Sequence, residues 1–136
     1  MLFDTKIALI IRSDLETWQK VNVAAFLAGG VAAEYPACLG EPYEDAAGII
    51  YSRLIGQPVL VYGADLAGLA RALERALARD VKPAVYTRDM FATTNDADNR
   101  AAVKAVDTAQ LDLVGIAVRA ERKTLDKIVD KLTFLK

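Results

Sequence analysis

The sequence predicts an α/β protein: a three-layer α/β/α sandwich on a four-stranded mixed, mainly parallel sheet. Three observations carry this expectation. Apolar runs of strand length alternate with segments whose apolar residues recur at helical spacing, the pattern of βα units. The first such run, Ile7, Ala8, Leu9, Ile10 and Ile11, is unbroken and rich in β-branched side chains, as expected for a central strand covered on both faces. Hydrophobic residues make up 54% of the chain and charged residues 26%, a composition that buries a core. At 136 residues, with no internal repeat or low-complexity tract, residues 1–136 are expected to form one domain.

After the first strand, the segment from Trp18 or Gln19 to Tyr35 is expected to be helical, with Val21, Ala24, Ala25, Ala28, Ala32 and Tyr35 as its apolar positions. Ala28, Gly29, Gly30, Ala32 and Ala33 leave one flank almost bare, and each glycine costs about 1 kcal/mol in a helix interior. Close packing on the sheet explains that cost; a ligand or homodimer contact is the other reading. Pro36 ends the helix, and the turn-rich stretch Pro36 to Asp45 reads as a loop. Ile49 to Tyr51 is ambiguous between a short strand and a helical turn. Pro58 to Tyr62 is a second core strand closed by Gly63. Asp65 caps a helix reaching Asp80, with Leu66, Leu69, Ala70, Leu73, Ala76 and Leu77 on its apolar face. Pro83 to Thr87 is the third strand, followed by a polar loop. A short helix spans Asp96 to Val106 with Asn95 or Asp96 as cap, Leu111 to Val118 is the fourth strand, and Thr124 to Leu135 is a final amphipathic helix.

Several chemistries are excluded outright. The chain has no histidine, which removes Ser-His and Cys-His mechanisms and His-ligated metal centres. Its one cysteine, Cys38, cannot form an intrachain disulfide. No apolar segment is long enough for a membrane span, and the start MLFDTKIALII lacks the pattern of a signal peptide, so a cytoplasmic location is expected, with no membrane partner. A formal net charge of -1 offers no overall basic footprint for nucleic acid. Two basic rows, Arg71, Arg75, Arg79 and Lys123, Lys127, Lys131, are interrupted by Glu74, Asp126 and Asp130 and read as solvated faces. Neither a phosphate-binding loop nor a dinucleotide fingerprint is present. Asp96 and Asp98 read as a capped helix start; no metal and no cofactor is expected.

The remaining polar residues gather at strand ends, where open α/β sheets bind ligands. Arg12 and Asp14 follow the first strand, Lys20 and Asn22 lie at the helix start, and Asp89, Thr93 and Thr94 follow the third strand. Lys20 and Asp89 could act as a proton-transfer or oxyanion-stabilising pair with Thr93 orienting a water, while Arg12, Asp14, Asn22 and Thr94 bind a small or nucleotide-like ligand. The alternative is an Arg-Asp or Lys-Asp ion pair that fixes two loops.

At these residues the chain resembles type II peptidyl-tRNA hydrolases. The matching segments are ALIIRSDL, KVNVAAFLAGGVA, GQPVLVYGAD, VYTRDMFAT and LVGIAVRAERKTLDKIVDKL, which together cover most of the sequence. The resemblance implies a mixed four-stranded sheet between helices, tRNA as a partner, and Lys20, Asp89 and Thr93 as the catalytic positions. Against that pattern, Asn22 stands in place of a second lysine, Phe26 of a glutamine, Gly29 of a histidine and Phe91 of a glycine. WQKVNVAAFLAGG, PYEDAAG and DNRAAV are more similar to a bacterial branch of this fold, the domain of unknown function family numbered two thousand. That resemblance implies a fold and no activity, leaving three expectations: a protein of unknown function holding a small ligand, a peptidyl-tRNA or related ester or amide hydrolase, or a non-enzymatic dimeric binding module.

Overall fold

The computed structural model describes residues 3–136. Strand β1 (Thr5–Arg12) lies at the centre of a five-stranded sheet, and its burial on both faces follows from its uninterrupted apolar sequence. Ile7, Leu9 and Ile11 point to one face, where they meet Val23, Leu27 and Val31 of helix α1 (Thr17–Glu34). Ala8 and Ile10 point to the other, where helices α2 (Leu66–Ala78) and α4 (Arg122–Ile128) supply Leu69, Leu73, Leu125 and Ile128. Burying each such aliphatic side chain contributes about 2 kcal/mol. The result is three layers, as the sequence implies.

The sheet departs from expectation in strand number and direction. Its order is β5-β6-β1-β4-β7, with β4 spanning Val59–Ala64, β5 Ala84–Thr87, β6 Leu113–Glu121 and β7 Thr133–Phe134. Five strands replace the expected four, and pairing is mainly antiparallel: only β1 and β4 are parallel neighbours. The βα alternation does set β1, β4 and β5 running the same way. Strand β6 then inserts, reversed, between β5 and β1, so that two of the three aligned strands never touch.

The extra strand comes out of the expected last helix. Helix α4 stops at Ile128, Lys131 adopts a left-handed conformation (φ 71°), and Thr133 and Phe134 pair with Gly63 and Tyr62. The apolar residues that mimic a helical stripe here, Leu132 and Leu135, belong to a turn and to the strand's end; Phe134 stacks on Tyr62 with centroids 5.1 Å apart.

Two helical faces also differ. Along α1 the buried positions are Val23, Leu27 and Val31, whereas Val21 is 64% exposed. Gly30 permits close approach to Ala84 of β5, while Gly29 faces open space. In α2, capped by Asp65 through a 2.8 Å bond from the Gly68 amide, Leu66 and Leu77 are exposed and the buried stripe runs through Leu69, Ala72, Leu73 and Ala76.

Ile50 and Tyr51 form strand β3, paired with β2 (Tyr43–Glu44) in an exposed hairpin. Its turn is organised by Asp45, whose carboxylate accepts bonds from the Tyr51 hydroxyl (2.7 Å), the Ile49 amide (3.0 Å) and the Ala47 amide (2.9 Å). The Tyr51 bond, then the Ile49 bond, holds this carboxyl below its ordinary 3.8, and the same contact raises the Tyr51 phenol above 10.0. A depressed acid stabilises the folded hairpin fully above its unfolded value and loses that contribution as pH falls through the folded value. The Ile49 amide resonance should therefore be constant near neutrality and move toward its disordered position on acidification below about pH 3.8. An Ile49 resonance unchanged down to pH 2 would contradict the assignment.

Candidate functional site

The carboxyl ends of β1, β4 and β5 and the start of β6 share one edge of the sheet, set by the pairings of Arg12 with Ala64 and of Thr87 with Leu113. Two arrangements form there. The first is a closed ring of four charges. Arg12, with a side chain only 14% exposed, places Nε 3.3 Å from Asp14 and Nη1 3.2 Å from Asp112, and also donates to the Leu113 carbonyl at 2.9 Å. Arg88 completes the ring, 3.3 Å from Asp112 and 3.9 Å from Asp14. Arg12 and Asp14 thus pair with each other and tie together the segments that follow β1 and β5 and precede β6.

The second is an open cleft of 390 Å³ between α1 and the segment after β5. The sequence positions it because Trp18, Asn22 and Phe26, spaced by four, lie along one helical stripe. Opposite them, a short 3₁₀ helix at Arg88–Ala92 brings in Phe91, and α3 (Asp96–Lys104), capped by Asn95 through a 2.8 Å bond from the Asp98 amide, brings in Asn99. The rings form a chain: Trp18 to Phe91 at 6.0 Å, Phe91 to Tyr86 at 5.2 Å, and Tyr86 to Phe26 at 5.8 Å. Such edge and tilted contacts fix ring orientation, with Tyr86 buried beneath the others. Trp18 and Phe26 remain 60% and 58% exposed.

Polar groups line the same space. The Asn22 amide donates to the Tyr86 hydroxyl at 3.5 Å, and the Thr93 hydroxyl is shared between the Met90 carbonyl (3.0 Å) and the Asn99 side-chain oxygen. One hydroxyl proton serves one acceptor at a time, so Thr93 is already engaged within the protein. Thr94, Asn95 and Asp96 complete the lining, with Asp96 ion-paired to Arg100. The lining contains no lysine or arginine.

Of the residues singled out in the sequence, Asn22, Thr93 and Thr94 come together in the cleft, and Arg12 and Asp14 in the charge ring. Lys20 and Asp89 line neither. The Lys20 ammonium lies 3.5 Å from the Lys136 carbonyl oxygen, Asp89 is exposed, and no ion pair joins the two among the described residues. Phe26 and Phe91 enter the sequence reading only as departures from the hydrolase pattern, and Trp18, Tyr86, Arg88 and Asp112 are not among its site candidates. The four-residue spacing of Trp18, Asn22 and Phe26 is the signal that could have found the wall. The two basic rows also meet: Arg75, Arg79, Lys123 and Lys127 flank one groove together with Asp126 and Asp130.

Comparison with known proteins adds family membership. A family model described as a protein of unknown function, DUF2000, matches residues 5–136. A solved structure of a protein of unknown function from Agrobacterium tumefaciens strain C58 is 42% identical and superposes with a TM-score of 0.96, the match covering 99% of this chain and 100% of that one. No curated protein matches.

Proposed function

The chain belongs to the DUF2000 family of proteins of unknown function, and from that premise we propose that it is a small-molecule-binding protein whose ligand carries a flat heterocycle, such as a nucleoside. The observation that supports this reading is the cleft itself, where the Trp18, Phe26, Tyr86 and Phe91 rings stand around a row of amide and hydroxyl groups. Ring faces stack on a base, and Asn22, Thr94, Asn95 and Asn99 match the edge of a heterocycle or a sugar. The absence of a lysine or arginine from the lining favours an uncharged nucleoside over a phosphorylated one.

Trp18 is the single tryptophan of the chain, so its fluorescence reports on the cleft without background. Titration with adenosine, guanosine, cytidine and uridine should give saturable quenching by at least one of them. Phe26→Ala should weaken that binding about tenfold, within the range found when a stacking ring is removed. If none of the four nucleosides changes the Trp18 signal, the proposal fails.

The scaffold is further proposed to be that of the type II peptidyl-tRNA hydrolases, supported by the segments matched in sequence. Their chemistry is the less favoured reading, because Lys20 and Asp89 are not joined and stand outside the cleft lining. Peptidyl-tRNA incubated with the protein is accordingly expected to keep its peptide. Release that disappears in both Lys20→Ala and Asp89→Ala would reverse that preference.

A further inference from the structure

We propose that a second cavity, at the edge of the sheet opposite the aromatic cleft, binds a small carboxylate or phosphate through the guanidinium of Arg119. Arg119 lies on β6 opposite Ile7 of β1, near the end where β1 begins. It lines a 350 Å³ cavity together with Thr5, Cys38, Gly40, Gly56 and Gln57.

The reason for the assignment is an unmet donor. Other half-buried arginines have polar partners: Arg12 and Arg88 pair with carboxylates, and Arg75 and Arg122 donate to carbonyl oxygens. Among the described residues the Arg119 side chain makes no ion pair and no hydrogen bond, and its Nε is buried without a partner. Its guanidinium carbon lies 5.2 Å from the centroid of the Tyr35 ring. A ring face attracts the cation but accepts none of its in-plane N–H bonds. The buried Nε is closed to a ligand's oxygen as it is to water, but the two terminal nitrogens are not buried and have no acceptor, so an oxyanion bound end-on in the plane of the fork supplies the acceptors the guanidinium lacks.

The rest of the cavity is built of groups that are already occupied. Gly56 donates to the Cys38 carbonyl at 2.7 Å and Gly40 to the Leu54 carbonyl at 2.9 Å. These two glycines pack backbone to backbone, so that a Cβ on Gly56 would lie 3.0 Å from the Gly40 nitrogen. Gln57 donates to the Thr5 carbonyl at 3.0 Å. The wall is therefore preformed backbone with its hydrogen bonds satisfied, and Arg119 is left to recognise the charged end of a ligand. Asp4 also borders the cavity; it is exposed, and its backbone oxygen accepts from the Arg122 amide at 3.1 Å. No ion pair links its carboxylate to Arg119.

The test is a titration of nitrogen-15-labelled protein with sodium phosphate and, separately, sodium acetate, against sodium chloride at matched ionic strength, following the arginine Nε–Hε resonances. At least one of the two oxyanions should shift the Arg119 resonance saturably, with a dissociation constant on the order of millimolar, and the one that does so at lower concentration identifies the ligand's charged group. Arg119→Lys keeps the charge but not the fork; followed on the Gly40 and Gly56 backbone amides of the same cavity in parent and variant alike, it should weaken that binding at least about tenfold while preserving the amide fingerprint. Asp4→Asn should leave binding unchanged or tighten it. Shifts no larger than those with chloride would overturn the proposal, and so would retained affinity in Arg119→Lys. An Arg119 resonance displaced by Asp4→Asn without added anion would also overturn it, since Asp4 would then be the partner. Trp18 reports on the other edge of the sheet, so this outcome is independent of the nucleoside titration.

Discussion

Gly115→Val is expected to cost about 3 kcal/mol or more, the largest loss of any single substitution considered, read as a fall in the urea midpoint with unchanged slope. Gly115 sits in β6 opposite Ile11 of β1, beneath α1. A Cβ there would lie 2.5 Å from Cγ1 of Val23 and 2.9 Å from Cδ1 of Leu27, which are 0% and 2% exposed. Both side chains are buried in a close-packed core, so making room means displacing their neighbours in turn. Alanine at this position should already be destabilising, since the clash begins at the first added carbon. Gly29→Ala is the control: it has nothing within 4 Å and lies within a helix, so it should gain about 0.5–1 kcal/mol. A Gly115→Ala protein as stable as the parent would mean that α1 does not rest on β6 as described.

Arg12→Ala is expected to cost about 2 kcal/mol, well above Arg88→Ala, which should cost less than about 1 kcal/mol. Both arginines belong to the charge ring, but their surroundings differ: the Arg12 side chain is 14% exposed and that of Arg88 42%. Removing Arg12 takes a hydrogen-bond donor from the Leu113 carbonyl and leaves Asp112 to Arg88 alone. Water can compensate Arg88 but reaches Arg12 poorly. Combining Arg12→Ala with Asp112→Asn should cost less than the two single losses added together, since the pair acts as one unit. Equal losses in the two arginine variants would place the ring's weight at the surface and refute this reading.

These two sites also mark where the sequence is informative and where it is silent. Strand β1 is legible because an unbroken β-branched run has few alternatives, and α2 because its caps and apolar stripe agree. The insertion of β6 leaves no trace in periodicity: a strand's direction depends on which neighbour it meets, and that neighbour lies far along the chain. The β7 residues read as helix because Leu132 and Leu135 fall at helical spacing; the left-handed Lys131 that breaks the pattern cannot be foreseen from a residue type that rarely adopts it. At the candidate site, individual polar residues at strand ends were recognisable, but their grouping was not. Arg12 and Asp14 fall in one arrangement and Asn22, Thr93 and Thr94 in another because the first two lie at and just beyond the end of β1, while Asn22 sits on α1 and the threonines follow the 3₁₀ helix that faces it. The aromatic wall was hidden because the apolar positions expected on α1, Val21, Ala24, Ala25, Ala28, Ala32 and Tyr35, include neither Trp18 nor Phe26; Val23 and Leu27 fill the core, leaving the two rings outside.

The placement of β6 has a consequence for the order in which the molecule assembles. Thr5 pairs with Glu121 and Ile11 with Gly115, so the centre of the sheet joins residues more than 100 positions apart. During synthesis β1, α1 and β4 emerge early and can form their parallel pair, yet the other edge of β1 stays open until β6 appears. Closing that gap requires a long-range contact that pays its chain entropy before it gains burial, the kind of step that slows folding. The strand that completes the core is thus made only after β1, α1, β4, α2 and β5, and until then the most apolar strand of the sheet is only half protected.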